Sequence, residues 1–181
     1  HPFIYWISDE FRVKFGGDSV KDILKNCAGL QTANNNRFLR FWWENSAVHN
    51  FEQNKWILYA KGGSYNKWYG NIWATVKYEN NGSEIRELCN DKYKHIKGYQ
   101  EKWVVKNEEF YFQKGITYSA SGSKGSSYRL LPEGCIFDVG GSSIFPIKKF
   151  KNAEYTIAFF NSHISKYTIE CLNPTVNKQV G

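Results

Sequence analysis

The chain has 181 residues, enough for one large domain with a sizeable core, and 24 Lys and Arg against 17 Asp and Glu give a net charge of +7. The basic balance favours an acidic partner such as a phosphate backbone, and an aromatic content of 18% with seven Trp favours β structure and stacking surfaces. No apolar run approaches the roughly 18 residues of a membrane span and no stretch reads as a secretory leader, so membrane classes are set aside.

The first fifteen residues place Phe3, Ile4, Ile7, Phe11 and Phe15 near helical spacing, a short aromatic helix or irregular lead-in. Ser19-Val20-Lys21-Asp22 resembles a capping box and predicts a helix through about Asn26, ended at Gly29. Residues 31–36 are a polar loop, and 37–44, apolar with two arginines set in, predict a strand. Strands at 55–60 and 72–78 flank the stretch Lys61-Gly62-Gly63-Ser64-Tyr65-Asn66-Lys67-Trp68-Tyr69-Gly70-Asn71. Its lysines supply charge, its glycines let backbone approach a ligand, and its rings supply flat faces, which suits an anionic ligand with rings. A hairpin packed on a neighbouring sheet is the plainer alternative for the same stretch.

Asn80-Asn81-Gly82 is a turn signal, and residues 83–95 follow with helical spacing at Ile85, Leu88 and Tyr93. Short strands are expected at 102–105, 110–113, 116–119, 128–131, 135–139 and 144–147, with a Ser/Gly loop at 120–127. Residues 154–171 read as helix, interrupted at Asn161-Ser162 and stopped by Asn173-Pro174. The class is therefore α+β, a β-rich centre of short twisted strands with helices at the N- and C-terminal ends. A helical lead-in (1–28), a β-rich core (29–150) and a C-terminal helical segment and tail (151–181) would form one domain.

Cys27, Cys89, Cys135 and Cys171 are widely spaced, with no Cys-x-x-Cys pair. They read as reduced core thiols of a cytoplasmic protein, two disulfides in a secreted protein being the alternative. The chain holds no Met and begins at His1, which leads us to expect a fragment of a longer protein. Neither a metal-ligand pair among His1, His49, His95 and His163 nor a Gly-x-Ser-x-Gly elbow is present. Phe137-Asp138-Val139-Gly140-Gly141 runs into Ser-Ser-Ile-Phe-Pro rather than a helix and reads as a β-turn, not a nucleotide-binding turn. Leu172-Asn173-Pro174-Thr175 lacks the second Pro and the aromatic of the Asn-Pro-Pro-aromatic signature of amino-methylating enzymes. Catalytic and metal residues are thus expected to be none in this chain.

Basic residues recur beside amides, serines and aromatics in loops: Arg37 and Arg40, Lys61 and Lys67, Lys124 and Arg129. Arg, Asn and Gln read base edges, while Lys, Ser and backbone N–H groups hold phosphates. Double-stranded DNA is the expected partner, with Arg37, Arg40, Lys61, Lys67 and Arg129 positioning phosphates and Lys124 among the DNA-binding residues. Trp68, Tyr69, Asn71 and Asn66 would read or wedge bases, and Ser119 stands in the same surface. A carbohydrate-binding β domain with aromatic stacking platforms is the alternative from another class.

Gly-Leu-Gln-Thr-Ala-Asn-Asn-Asn-Arg-Phe (29–38), Phe-Trp-Trp-Glu (41–44), the stretch 61–71, Gly-Ile-Thr-Tyr-Ser (115–119), Tyr-Arg-Leu-Leu-Pro-Glu-Gly-Cys-Ile-Phe-Asp (128–138) and Leu-Asn-Pro-Thr-Val-Asn-Lys-Gln-Val-Gly (172–181) stand in order along the chain. The set resembles the C-terminal target recognition region of large adenine-specific DNA methyltransferases, those of BREX-type phage-defence systems above all, with type IIG restriction–modification enzymes as relatives. Ala33 and Asn34 stand where that resemblance leads one to expect Gly-Asp. The resemblance implies a DNA-recognition domain whose parent enzyme carries an upstream methyltransferase domain, uses S-adenosylmethionine and methylates adenine N6. The fragment itself would hold neither the catalytic nor the cofactor motifs.

Overall fold

The computed structural model describes residues 7–17, 19–45, 55–121, 124–147 and 153–172. The part of the expected lead-in before Ile7, residues 148–152 and the tail from 173 lie outside them. Two four-stranded sheets form the centre. The first orders β1 (Leu24–Cys27), β8 (Ser143–Pro146), β5 (Gly115–Tyr118) and β6 (Tyr128–Leu131), all antiparallel. The second orders β2 (Leu39–Phe41), β4 (Ala74–Lys77), β3 (Trp56–Ala60) and β7 (Ile136–Phe137), with β7 parallel to β3. The helices are α1 (Asp9–Val13), the single turn α2 (Asn35–Phe38), α3 (Glu79–Tyr93), α4 (Ala153–Phe160) and α5 (His163–Leu172). The α+β class with a β-rich centre is as the sequence led us to expect.

Alternation along β8 shows how the first sheet is clothed on both faces. Phe145 enters the main core with Phe38, Tyr59, Ile85 and Phe137, while its neighbour Ile144 turns to a second core with Ile116, Tyr118, Tyr128 and Ile157 of α4. Helix α3 covers the main core through Ile85 and Cys89. The signal at Asn80-Asn81-Gly82 is a real turn, since all three adopt positive φ before the regular helix begins.

Four strand or helix expectations are corrected. The capping box at Ser19 exists, Asp22 accepting from the Ser19 N–H at 3.1 Å, but it closes only a 3-10 turn at Val20–Asp22. The helix expected through Asn26 is instead β1, recruited by pairing with β8. The strands expected at 102–105 and 110–113 are 3-10 turns, Glu101–Trp103 and Glu108–Phe110, whose neighbours Val104, Val105 and Tyr111 plug the main core. The strand expected over 37–44 is divided among α2, β2 and a 3-10 turn at Trp42–Glu44.

Candidate functional site

The end of β3 feeds residues 61–65 out over the junction of the two sheets, and clefts open on both sides of that backbone. On one side two clefts share Asn35 and Lys61. The first is walled by Asn36, Arg40, Phe41, Glu44 and Trp73, the second by Gln31, Thr32, Asp138 and Gly140. On the other side Gly63, Ser64 and Tyr65 face Ser119, Ser121, Lys124, Gly125 and Ser127 across a cleft of about 340 Å³.

Close backbone packing holds this dividing segment in place. Gly62 (φ +84) and Gly141 press on their neighbours so tightly that a Cβ would stand 2.4 Å from the Gly140 carbonyl oxygen and 2.2 Å from that of Ala60, respectively. Asp138 ties the same junction. Its Oδ2 lies 2.6 Å from Lys61 Nζ and 2.7 Å from the Tyr59 hydroxyl, and its Oδ1 accepts from the Gly140 N–H at 2.6 Å. Burial first, and Asp138 second, push the Tyr59 hydroxyl well above the ordinary range, so it stays a donor. Asp138→Asn should cost about 2–3 kcal/mol in urea unfolding, because Lys61 keeps its charge and loses its counter-ion in a half-buried place. A cost below about 0.5 kcal/mol would remove Asp138 from this role.

The loop over 31–36 is shaped by its departures from expectation. Ala33 is held at φ +55, the conformation glycine adopts without cost, and the Asn34 side chain accepts from the Arg37 N–H at 3.1 Å as an N-cap. Ala-Asn thus keeps the geometry that Gly-Asp would supply. It aims Asn35 and Asn36 at the first cleft, where Arg40 is braced by the Asn36 and Leu39 carbonyls at 2.8 and 2.6 Å.

The lysines of the central stretch are occupied by the protein itself. Lys61 is bound to Asp138, and Lys67 donates to the Asn161 carbonyl at 2.8 Å. Asn71 is a staple, donating to the Ser64 carbonyl and accepting from Asn66. Arg37 pairs with Glu84, which hydrogen bonds from Lys77 and then Arg37 hold below the usual carboxyl range. By contrast Trp68 and Tyr69 present their rings to solvent, Tyr69 with 79% exposed. Trp68 stands at φ +78, fixed by its backbone along the edge of β6, its N–H to the Tyr128 carbonyl at 2.9 Å and its carbonyl to the Leu130 N–H at 3.0 Å. Lys124 is exposed at the mouth of the third cleft.

Arg129 has no exposed surface at all. Its guanidinium works from beneath the third cleft, donating from Nη1 to the Asn66 carbonyl at 3.1 Å and to Ser127 Oγ at 3.0 Å, and from Nη2 to Ser119 Oγ at 3.1 Å. Among the described residues no carboxylate pairs with it, its Nε has no partner, and burial lowers its pKa to about 10. Of the clefts' walls, Gln31, Trp73, Ser121, Ser127 and Asp138 were not singled out from sequence as ligand-facing; the Asn-rich run and the Ser/Gly loop were the signals that pointed near them. Among the described residues no group of three or more His, Cys, Asp or Glu could hold a metal, and no helix is long and apolar enough to cross a membrane.

Two curated relatives match nearly the whole chain. The adenine-specific methyltransferase PglX of Lacticaseibacillus casei (strain Zhang) is 32% identical over 191 residues, covering 99% of this chain and 15% of the relative. The adenine-specific methyltransferase BrxX of Escherichia coli O9:H4 (strain HS) is 32% identical over 193 residues, covering 99% of this chain and 14% of the relative. The chain thus spans about one-seventh of the length of these relatives. No family model matches. The similarity supports a domain of an enzyme of this kind.

Proposed function

We propose that this chain is the target recognition domain of an adenine-specific DNA methyltransferase of the phage-defence or restriction–modification kind. It binds duplex DNA in the cytoplasm and chooses the site, while an upstream domain of the parent enzyme, loaded with S-adenosylmethionine, methylates the adenine. The observation that carries this reading is the set of clefts on both sides of residues 61–65. One side offers amides, Arg40 and a carboxylate, the groups that pair with base edges. The other offers hydroxyls and a lysine, the groups that hold phosphates. Trp68 and Tyr69 stand free to stack on or wedge bases.

The test is binding of a duplex carrying the methylation site, mapped by single-molecule sequencing of DNA from cells with and without the full-length gene. Affinity should fall linearly with salt on logarithmic axes. Asn35→Ala and Arg40→Ala should each cost about 1–3 kcal/mol on the preferred sequence and relax discrimination at one position. Lys124→Ala should weaken all sequences alike and reduce the salt slope by about one. Salt-independent binding of glycans with no binding of duplex at low salt would replace this reading by the carbohydrate one.

A further inference from the structure

The third cleft has a property that the other two lack: a fully buried cation under its floor with which, among the described residues, no acid pairs. Arg129 bonds through Nη1 and Nη2 to the hydroxyls of Ser127 and Ser119, and both serines line the cleft. Ser119 in turn donates to the Gly63 carbonyl at 2.9 Å, so the cleft's near wall is tied to the same guanidinium. A charged guanidinium removed from water costs several kcal/mol unless a counter-charge comes close. Glu170, 3.9 Å from where a Cβ on the lining residue Gly125 would stand, is paired with Lys166. The field of Arg129 is therefore directed into an opening whose remaining groups, the hydroxyls of Ser64, Ser121 and Ser127 and the ammonium of Lys124, are donors suited to oxygen anions.

We propose that this cleft is a built seat for one phosphate group, held by the Ser64, Ser121 and Ser127 hydroxyls over the buried guanidinium of Arg129 and closed by Lys124. The occupant is a backbone phosphodiester of bound DNA, an assignment that rests on the DNA-recognition reading, whereas the seat itself does not. An occupied seat supplies Arg129 with the counter-charge it lacks, so binding and folding stability are coupled through it.

Two measurements separate the seat from its occupant. In thermal unfolding, inorganic phosphate should raise the midpoint by about 3 °C relative to chloride at equal ionic strength, and by less than about 1 °C in Ser121→Asp, where a carboxylate stands in the exposed rim. No shift, or an equal shift in both proteins, overturns the seat. In duplex binding, Ser121→Asp should weaken affinity about tenfold, and a single methylphosphonate at one backbone position should weaken the unaltered chain about as much while leaving Ser121→Asp unaffected. If phosphate protects but no methylphosphonate position matters, the backbone assignment is overturned and the seat takes a free phosphate. If phosphate protects but duplex does not bind, the DNA reading falls and the seat stands. If duplex binds while phosphate gives no protection and no position is distinguished, the seat falls and the DNA reading stands.

Discussion

Raising the pH from about 9 to about 11 is expected to unfold the chain in one cooperative step. The cause is the number of ionisable groups that the core holds neutral. Burial pushes the Cys27 thiol up to about 11, the Cys135 thiol to about 12 and the Tyr128 hydroxyl to about 12. Tyr59, Tyr78 and Tyr111 are raised as well, by burial first, with Asp138 adding at Tyr59 and Glu108 at Tyr78. A folded pKa above the unfolded value means that stability is intact below the unfolded pKa, 9.0 for these thiols and 10.0 for these phenols, and is lost as pH rises toward the folded value. Each group then withdraws about 1.4 kcal/mol per pH unit. Arg129 acts with the opposite sign: its folded pKa near 10 lies below the ordinary 12.5, so the unfolded chain holds the extra proton and stability gains as pH rises between those values. Six withdrawals against one gain leave a limiting slope of about 7 kcal/mol per pH unit, comparable within about two units to the whole stability of a domain. Far-ultraviolet circular dichroism should therefore be lost across this range, together with the appearance of tyrosinate absorbance from the buried rings. Dichroism still intact at pH about 11 would show that these hydroxyls reach water in the folded state. The four buried free thiols offer a second readout, reacting with a thiol reagent only across the same transition.

What the sequence made legible was local. β3 and β4 stand out because apolar residues flank a loop too polar and glycine-rich to be core, and the pause at Asn161-Ser162 separates α4 from α5 as expected. What it hid was long-range. Leu24–Cys27 follows a genuine capping signal, yet its conformation is decided by β8, more than a hundred residues later. Tyr128–Leu131 and Ile136–Phe137 flank an evident turn at Pro132-Glu133-Gly134, but that turn hands the chain from one sheet to the other rather than closing a hairpin. The site follows the same rule. Residue type marked the loops correctly as polar, basic and aromatic, but it could not say which cation faces water. Arg129, beside a Ser/Gly loop, looked like a surface charge and lies under the floor. Asn161 looked like a helix break and also clasps the Tyr128 backbone, accepting from its N–H at 3.0 Å and donating to its carbonyl at 2.8 Å. Lys61 and Lys67 looked free and are bound to Asp138 and the Asn161 carbonyl, whereas the rings of Trp68 and Tyr69 are exposed.

Adding one methyl group at Gly141 is expected to destabilise the chain by about 3 kcal/mol or more and, on the DNA-recognition reading proposed above, to abolish duplex binding in what remains folded. The Cβ would stand 2.2 Å from the Ala60 carbonyl oxygen and 2.6 Å from the Gly62 nitrogen. Both are backbone atoms, at the end of β3 and the start of the dividing segment, so neither can swing away as a side chain can. Relief requires moving residues 60–62 away from 140–141. That shift would pull Lys61 from Asp138 and displace the Asp138–Ala60 backbone bond, now 3.0 Å, opening the walls that two clefts share. Glycines without this contact set the scale. At Gly70 nothing lies within 4 Å of a Cβ and only the φ of +99 resists, so Gly70→Ala should cost about 1 kcal/mol. At Gly16 neither obstacle exists, and Gly16→Ala should be neutral or slightly stabilising because alanine narrows the unfolded ensemble. Urea midpoints measured in the order Gly16, Gly70, Gly141 should therefore fall progressively, with the proposed DNA affinity lost at the last. If Gly141→Ala unfolds no more readily than Gly70→Ala, the two backbones are not locked together, and the clefts have no rigid divider on which to place Asn35, Lys61 and Ser64.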